Sequence, residues 1–484
     1  MLFEARPIDT ITRYRVAVYH GFFAFSRFFG LPPFSLGFLS RTLSAYPLRF
    51  ILSPTPSSPL APSQMTTRHD AGVYRNASRS RSSSAPFPAS LPAQSPSGSV
   101  TTDHSFSKQM LNPYIKRHGR CYLSDQTLAY PLPCDVLELH RQNLRTLLLI
   151  QVFGAPFCAP SLSAQPPTNV LDVACGTGVW SSLCHDHFAE RGAPPISFTG
   201  LDIAPLAPDL SQAGLDWTFV RHDLRKLPLP FADGQFDFIM LKDLSLVVQT
   251  SDLQDKLMDE YLRILRPGGV LEAWETDHTL RTLLPHAASA PGISDEEQRR
   301  AESLAIFPLH PSTPRATPQN PYLQDLNVWV RQTLEEKRLT PTPCTAIGPM
   351  MLQEAEALGD QGARRVAILL GEAKWEREGF SESVVEAGSS SKGKRSVGRL
   401  SDSSSTRRRR NRKSLNQDQA ALRRTALLTF VQMMESIEHL LQQVSGRSQD
   451  EWDRWWAGMM EDLLVKGSLN GECLEIGAWW GRKL

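Results

Sequence analysis

The sequence predicts an α/β fold built on a mostly parallel sheet with helices on both faces. Three observations carry this reading. Short apolar runs alternate with helical segments between Asn169 and Trp274. The first run carries an acid within it and leads through two closely spaced glycines into a helix, and acidic residues stand near the ends of the second and third runs. Alternation of this kind implies βαβ units, whose crossovers are right-handed.

Taken in order, residues 1–60 hold six arginines, no lysine and only two acids, Glu4 and Asp9. The Phe-rich stretch from Val16 to Leu39 contains Arg27 and the pair Pro32-Pro33, a poor match to the ~20 uncharged apolar residues of a spanning helix. A disordered leader is expected here, or an upstream extension with Met65 as the start; an Arg-rich, acid-poor mitochondrial presequence is the alternative. Residues 1–107 are therefore set apart as a low-complexity region. From Ser53 to Ser107 the chain is mainly Ser, Pro, Ala and Arg, too poor in apolar side chains to offset chain entropy.

Order is expected from about Leu111. Asp135 to Phe153 reads as a helix, with Leu137, Leu144, Leu147 and Leu148 at roughly helical spacing. Strands are expected at 170–174, 196–203, 217–223, 236–242 and 270–275. Helices are expected at Val179–Glu190 and Asp252–Leu265, the second stopping at Pro267-Gly268-Gly269. Pro308 to Pro321 reads as a loop, Tyr322 to Lys337 as a helix with Leu326, Val330 and Leu334 on one face, and 363–372 as a strand. Residues 381–417 form a basic, Ser-rich insertion containing Arg407 to Arg410, Arg412 and Lys413, and disorder is expected there. Leu422 to Val444 is an apolar helix and Glu472 to Trp480 a last strand. The main domain is thus 108–380, with a core at 165–280 and a covering part at 281–360, completed by 418–484.

Composition bounds the function. The formal net charge is +2, so no global field points to nucleic acid. The seven cysteines are odd in number and form no C-x-x-C pair, which suits a reducing compartment and no zinc ribbon. A cytoplasmic or nuclear site is expected, or a mitochondrial one if the leader is real. No membrane partner is expected; the basic insertion is a candidate protein-binding site, nuclear-localisation signal or RNA-binding tract, with a solvated, phosphorylatable loop as the plainer reading.

The chemistry is concentrated in LDVACGTG, residues 171–178. The glycines let the backbone approach a ligand, and the helix start behind them offers unpaired N–H groups. A dinucleotide fold wants a third Gly where Ser181 stands, and it has no need of an acid within the strand. Asp172 is the discriminator: its carboxylate suits a cationic amino group. Asp202 closes the second run, where an acid binds both ribose hydroxyls; Asp223, after the third, suits an adenine amino group. Leu224 adds apolar contact to the ring, and Lys242 ends the fourth run as a pocket wall. The plainer readings are a helix-dipole partner for Asp172, a turn residue for Asp202 and a helix cap for Asp223.

The order LDVACGTG, LDI, HDL with LPLPFADGQFDFI, then LRPGGVL, resembles a class I S-adenosylmethionine-dependent methyltransferase over about 105 residues. The flanks GRCYLSD and GECLEIGAWWGRK are similar to those of uncharacterised fungal proteins of that type. The resemblance implies a Rossmann-like, seven-stranded, mostly parallel sheet and S-adenosylmethionine as cofactor. Its contacts are implied at Asp172, Ala174, Gly176, Gly178, Asp202, Ile203, Asp223, Leu224 and Lys242. One departure is Ala174, where the common pattern has Gly.

The implied activity is methyl transfer to an unidentified acceptor, a small molecule or a protein. No Asn/Asp-Pro-Pro-aromatic motif follows the fourth strand, where LKDLS stands, which argues against an acceptor nitrogen on a nucleobase or glutamine. The catalytic residue is left open, with Asp277 and His278 as the acid/base candidates. Two rivals stand: a cofactor-binding regulator without turnover, and an NAD(P)-dependent oxidoreductase. Cys184-His185-Asp186-His187 reads as a mixed helix surface rather than a metal site, because consecutive helical residues point apart. Trp452, Trp455, Trp456, Met459 and Met460 read as core.

Overall fold

In the computed structural model the described residues are 113–286, 293–378 and 414–484. The leader, Met65, the Ser/Pro segment and the basic run 407–413 lie outside them. The described chain opens with a hairpin of β1 (Tyr114–Arg117) and β2 (Arg120–Leu123). Helix α1 (Val136–Phe153) follows, with Asp135 as its N-cap and Gly154 closing it in the left-handed region. The core then runs β3 (Asn169–Val173), α2 (Val179–Ala189), β4 (Ser197–Asp202), β5 (Asp216–Arg221), β6 (Phe236–Lys242), α3 (Asp252–Ile264) and β7 (Leu265–Thr276). Beyond it come β8 (Arg281–Leu283), α4 (Asp295–Leu304), β9 (Phe307–Pro308), β10 (Arg315–Ala316), α5 (Pro321–Glu336), α6 (Pro343–Gln353) and β11 (Leu358–Leu369). The last part holds α7 (Gln417–Ser436), α8 (Glu438–Ser445), α9 (Gln449–Glu461) and β12 (Glu472–Lys483).

Strands β5-β4-β3-β6-β7 pair in parallel, in that order. β12 inserts antiparallel between β7 and β11. These make the expected seven-stranded core, and the short β8, β9 and β10 extend the sheet to ten strands. Burial alternates with a period of two, as a sheet covered on both faces requires. Val170, Phe198, Phe238, Met240 and Trp274 join the core on the α1 and α2 side, with Trp180 and Leu149. Leu171, Leu201, Ile239, Leu241 and Leu271 face α3 and α6, with Met258 and Met351.

The sequence reading is corrected at several places. β7 begins at Leu265, so Pro267-Gly268-Gly269 lies inside a strand rather than ending a helix, with a register irregularity against β6 between Phe236 and Phe238. The loop expected at 308–321 holds β9 and β10. The helix expected at 422–444 is two, α7 and α8, meeting at Ile437. On α1 the expected apolar face is displaced. Leu137 is exposed, and the buried stripe runs through Glu138, Arg141, Arg145, Leu148, Leu149 and Val152. Trp452, Trp455, Trp456 and Met459 are core residues.

Candidate cofactor and acceptor site

The carboxyl ends of parallel strands, at the point where strand order reverses, form the crevice of an open α/β sheet. Here that point lies between β3 and β4 on one side and β6 on the other. Register sets Asp172 opposite Gly200 and Asp202 opposite Arg221, so the acids of the first two strands stand on neighbouring strands at one edge.

Asp172 is buried, facing α2, where Ser181 Oγ donates to its Oδ2 at 2.8 Å. Burial pushes its pKa up to about 7, against the pull of that hydroxyl and of Lys242. Ser181 occupies the third glycine position of a dinucleotide turn, and the bond it makes is one glycine cannot make. After β3 the chain turns through Ala174, Gly176 and Gly178, all at positive φ (53°, 54° and 68°). A Cβ on Gly176 would meet only Gln142 Oε1, at 3.8 Å, so the backbone face there is open. Gly200, on β4, was not singled out from sequence. A Cβ there would sit 2.3 Å from the Trp217 ring and 2.8 Å from Cys175 Sγ, so its missing side chain seats the turn against β4.

Asp202 holds the turn in place. The Gly176 amide donates to its Oδ2 (2.9 Å) and the Ala204 amide to its Oδ1 (3.0 Å). Burial raises its pKa even so. Ile203 is half-buried beside it, and Leu224 is buried. Asp223 lies two residues beyond the end of β5 rather than closing it, and its carboxylate is engaged by Arg225 Nε and Nη2. Partial burial pushes Asp223 up, but Arg225 outweighs it and holds the group below its ordinary value. Arg225 also reaches Asp125 Oδ2 and Thr127 Oγ1, tying the segment after β2 to this edge. Lys242 Nζ pairs with Asp243 at 3.0 Å.

On the opposite side, α1 lines the crevice. Thr177 Oγ1 donates to Asn143 Oδ1, and Gln142 Nε2 donates to Tyr130 Oη and Glu138 Oε1. Glu138 also accepts from both Arg141 and Ser436. Arg145 pairs with Asp243, itself at positive φ past the end of β6. Below them Ser245 donates its amide and hydroxyl to Glu275, and its Oγ is 3.0 Å from His278 Nε2. Burial, with help from Arg145, lowers His278 to about 3, so its imidazole is neutral. Asp277 turns away from this group, accepting from the Cys344 amide and pairing with Arg281. The two candidate acid/base residues are therefore not brought together. Sequence reasoning missed Tyr130, Gln142, Asn143, Arg145, Asp243 and Glu275. The available signal was the charged series 138, 141, 145 at helical spacing on α1.

Residues 170–269, which hold the turn and both flanking acids, match the model of a methyltransferase domain family. Over that stretch the chain is similar to a methyltransferase domain. A secondary metabolism regulator laeA of Coprinopsis cinerea is 28% identical to it over 168 residues, 34% of this chain and 39% of that protein. A demethylmenaquinone methyltransferase of Listeria monocytogenes is 30% identical over 120 residues, 24% and 47% of the two lengths. The chain thus spans under half the length of these curated relatives. Among solved structures, the PH0226 protein of Pyrococcus horikoshii OT3 shares 25% identity at a TM-score of 0.22, covering 28% of this chain and 58% of that one.

The cofactor of this methyltransferase class is S-adenosylmethionine, and the residues present fit it. The start of α2 has no side-chain cap, so its first N–H groups are available to a carboxylate. Asp172 spends Oδ2 on Ser181, which leaves acceptor capacity on its carboxylate. Asp202 retains acceptor capacity on both oxygens beyond its two amide bonds. Among the described residues no group of three or more His, Cys, Asp or Glu is placed to hold a metal ion. Cys184 is buried, while His185 bonds to Asp186 and His187 packs on Phe157. Among the described residues no helix is long and apolar enough to cross a membrane.

Proposed function

We propose that this chain transfers a methyl group from S-adenosylmethionine to an acceptor bound on the α1 side of the crevice. The observation that carries the reading is the paired use of Asp172 and Asp202 at adjacent strand ends around an open glycine turn. In this reading Asp172 receives the cofactor's amino group, Asp202 the ribose hydroxyls, and Ile203 and Leu224 the adenine ring. Gly176, Gly178 and the start of α2 receive the carboxylate; Ala174 shapes the turn and Lys242 walls the crevice. Asp223 positions Arg225 rather than meeting the adenine directly. The bound cofactor supplies the activated methyl group. The protein's share is to align the acceptor and exclude water, and proximity of this kind is worth up to ~7–11 kcal/mol.

The order Asp172, Gly176, Ser181 disfavours a nicotinamide dinucleotide. A second reading, a cofactor-binding regulator without turnover, is favoured by one observation: the residues nearest the acceptor side are tied to one another, Ser245 to Glu275 and His278, Arg145 to Asp243. The laeA relatives, which are secondary metabolism regulators, agree with it.

The test has two parts. Calorimetry with S-adenosylhomocysteine is expected to give binding that Asp202→Ala weakens by about 10- to 100-fold, as loss of charged hydrogen bonds predicts; unchanged affinity would refute the ribose role. Incubation with methyl-labelled cofactor and cell extract is expected to move label into an acceptor. Binding without any transfer of label would select the regulator.

A further inference from the structure

The β1–β2 hairpin, the segment after it, Lys337 at the end of α5 and the start of α8 line a recess of about 130 Å3. It is lined by two cations, Arg117 and Lys337, by the rings of Tyr122, Tyr130 and His439, and by apolar side chains including Leu123 and Leu440. Arg117 Nη2 is a buried guanidinium nitrogen with no hydrogen-bond partner among the described residues. A buried charged donor left without an acceptor is costly, and native structures leave few of them. The one carboxylate of the lining, Asp125, is already taken, accepting from Arg225 and from the amide and hydroxyl of Thr127. Arg120, the hairpin's other arginine, is paired with Asp135. Arg117 and Lys337 are thus the arginine and lysine side chains of the lining, and Arg117 Nη2 is without a partner among the described residues.

A chain of side-chain contacts links the recess to the turn. Tyr130 lines the recess, and Tyr130 Oη accepts from Gln142, whose Oε1 overlies the open face of Gly176. We infer that this recess binds the carboxylate of the methyl acceptor, an acidic molecule with an apolar body. Naming that ligand as the acceptor rests on the methyl-transfer reading; the anion site itself does not. A carboxylate matches the planar fork of Arg117, with Lys337 as a second point charge. The tyrosine rings and leucine side chains of the lining offer a hydrocarbon or aromatic body contacts that inorganic phosphate cannot use.

His439 reports on occupancy. His118 stacks on its ring at 4.5 Å, and Tyr122 Oη lies 3.5 Å from Nδ1. Burial, then His118, Lys337, Arg117 and Arg120, hold its pKa at about 4. An anion between Arg117 and Lys337 offsets those cations and raises the pH at which His439 titrates.

The experiment is a histidine NMR titration of the full chain with benzoate, benzamide and inorganic phosphate, with His439→Asn to assign the signal. Benzoate is expected to raise the titration point of His439, benzamide to leave it unmoved, and Arg117→Gln to weaken the benzoate effect by about tenfold or more. Lys337→Gln, on a separate helix, is expected to weaken it too, which guards against a misfolded hairpin. Equal responses to benzoate and benzamide, a response to phosphate alone, or no response to any of the three would overturn the assignment. S-adenosylhomocysteine is titrated into the same samples: cofactor binding without a benzoate response sinks this site and leaves the methyl-transfer reading standing.

Discussion

The two sides of the crevice are assembled in opposite ways. The cofactor side is local: Asp172 to Ser181 is one uninterrupted stretch, and its outside partners, Asp202 and Gly200, lie on the next strand. The acceptor side is drawn from the whole chain. Tyr130, Glu138 and Arg145 come from before the core, Asp243 and Glu275 from strand ends, and Ser436 from α7, 298 residues from the Glu138 it bonds. A contiguous turn is held by its own backbone and by one neighbouring strand. A side made of distant charged groups depends on each partner being present.

The sharpest way to break the comparison is to remove Glu138. It is fully buried and accepts from Arg141, Gln142 and Ser436. Glu138→Ala leaves the Arg141 guanidinium, 3% exposed, without its counter-ion. Stranding a buried charge costs about 3–5 kcal/mol. Urea denaturation is expected to show that loss, with α1 detached from α7. A loss below about 1 kcal/mol would mean that the acceptor side is no more interdependent than the turn.

A smaller effect is expected at Asp172, and it separates stability from binding by sign. Its pKa is raised from 3.8 to about 7 by burial. A raised folded-state value means that its contribution to stability is fully present below about 4 and is lost as pH rises through about 7. The free protein is therefore expected to lose melting temperature across that window. With Asp172 receiving the cofactor's ammonium group, as proposed, binding is expected to run the other way, because that contact requires the ionised carboxylate. Affinity for S-adenosylhomocysteine is expected to fall approaching tenfold for each pH unit below about 7 and to level off above it. Asp172→Asn should bind more weakly and remove both slopes. Parallel pH profiles for the variant and the parent would reassign the group to a purely structural role.

The same contrast explains what the sequence made legible. The five parallel strands, α2 and α3 were readable because apolar periodicity and the glycine turn are local properties. Asp172 and Asp202 were readable as a pair for the same reason. The ion pair of Asp223 with Arg225 was within reach, two residues apart, but its extension to Asp125 depends on a fold-back of the segment after β2. Leu137 was misread as core because the leucines of α1 outnumber its charged stripe, and only tertiary contact shows that Glu138, Arg141 and Arg145 are the inward residues. The pairing of β12 between β7 and β11 was legible as a returning strand, not in its register.

The smallest expected effect tests how forgiving the local side is. Ala174 stands at φ 53° in the left-handed region, where the common pattern of the family has glycine. An L-residue there is strained by about 1–2 kcal/mol. Glycine relieves the strain but widens the unfolded ensemble by about 0.4–1 kcal/mol. The two effects oppose each other, so Ala174→Gly is expected to stabilise the chain by no more than about 1 kcal/mol in urea denaturation, with affinity for S-adenosylhomocysteine unchanged. Marked destabilisation would show that the Ala174 methyl packs against the turn, and the cofactor side would then share the interdependence assigned here to the acceptor side alone.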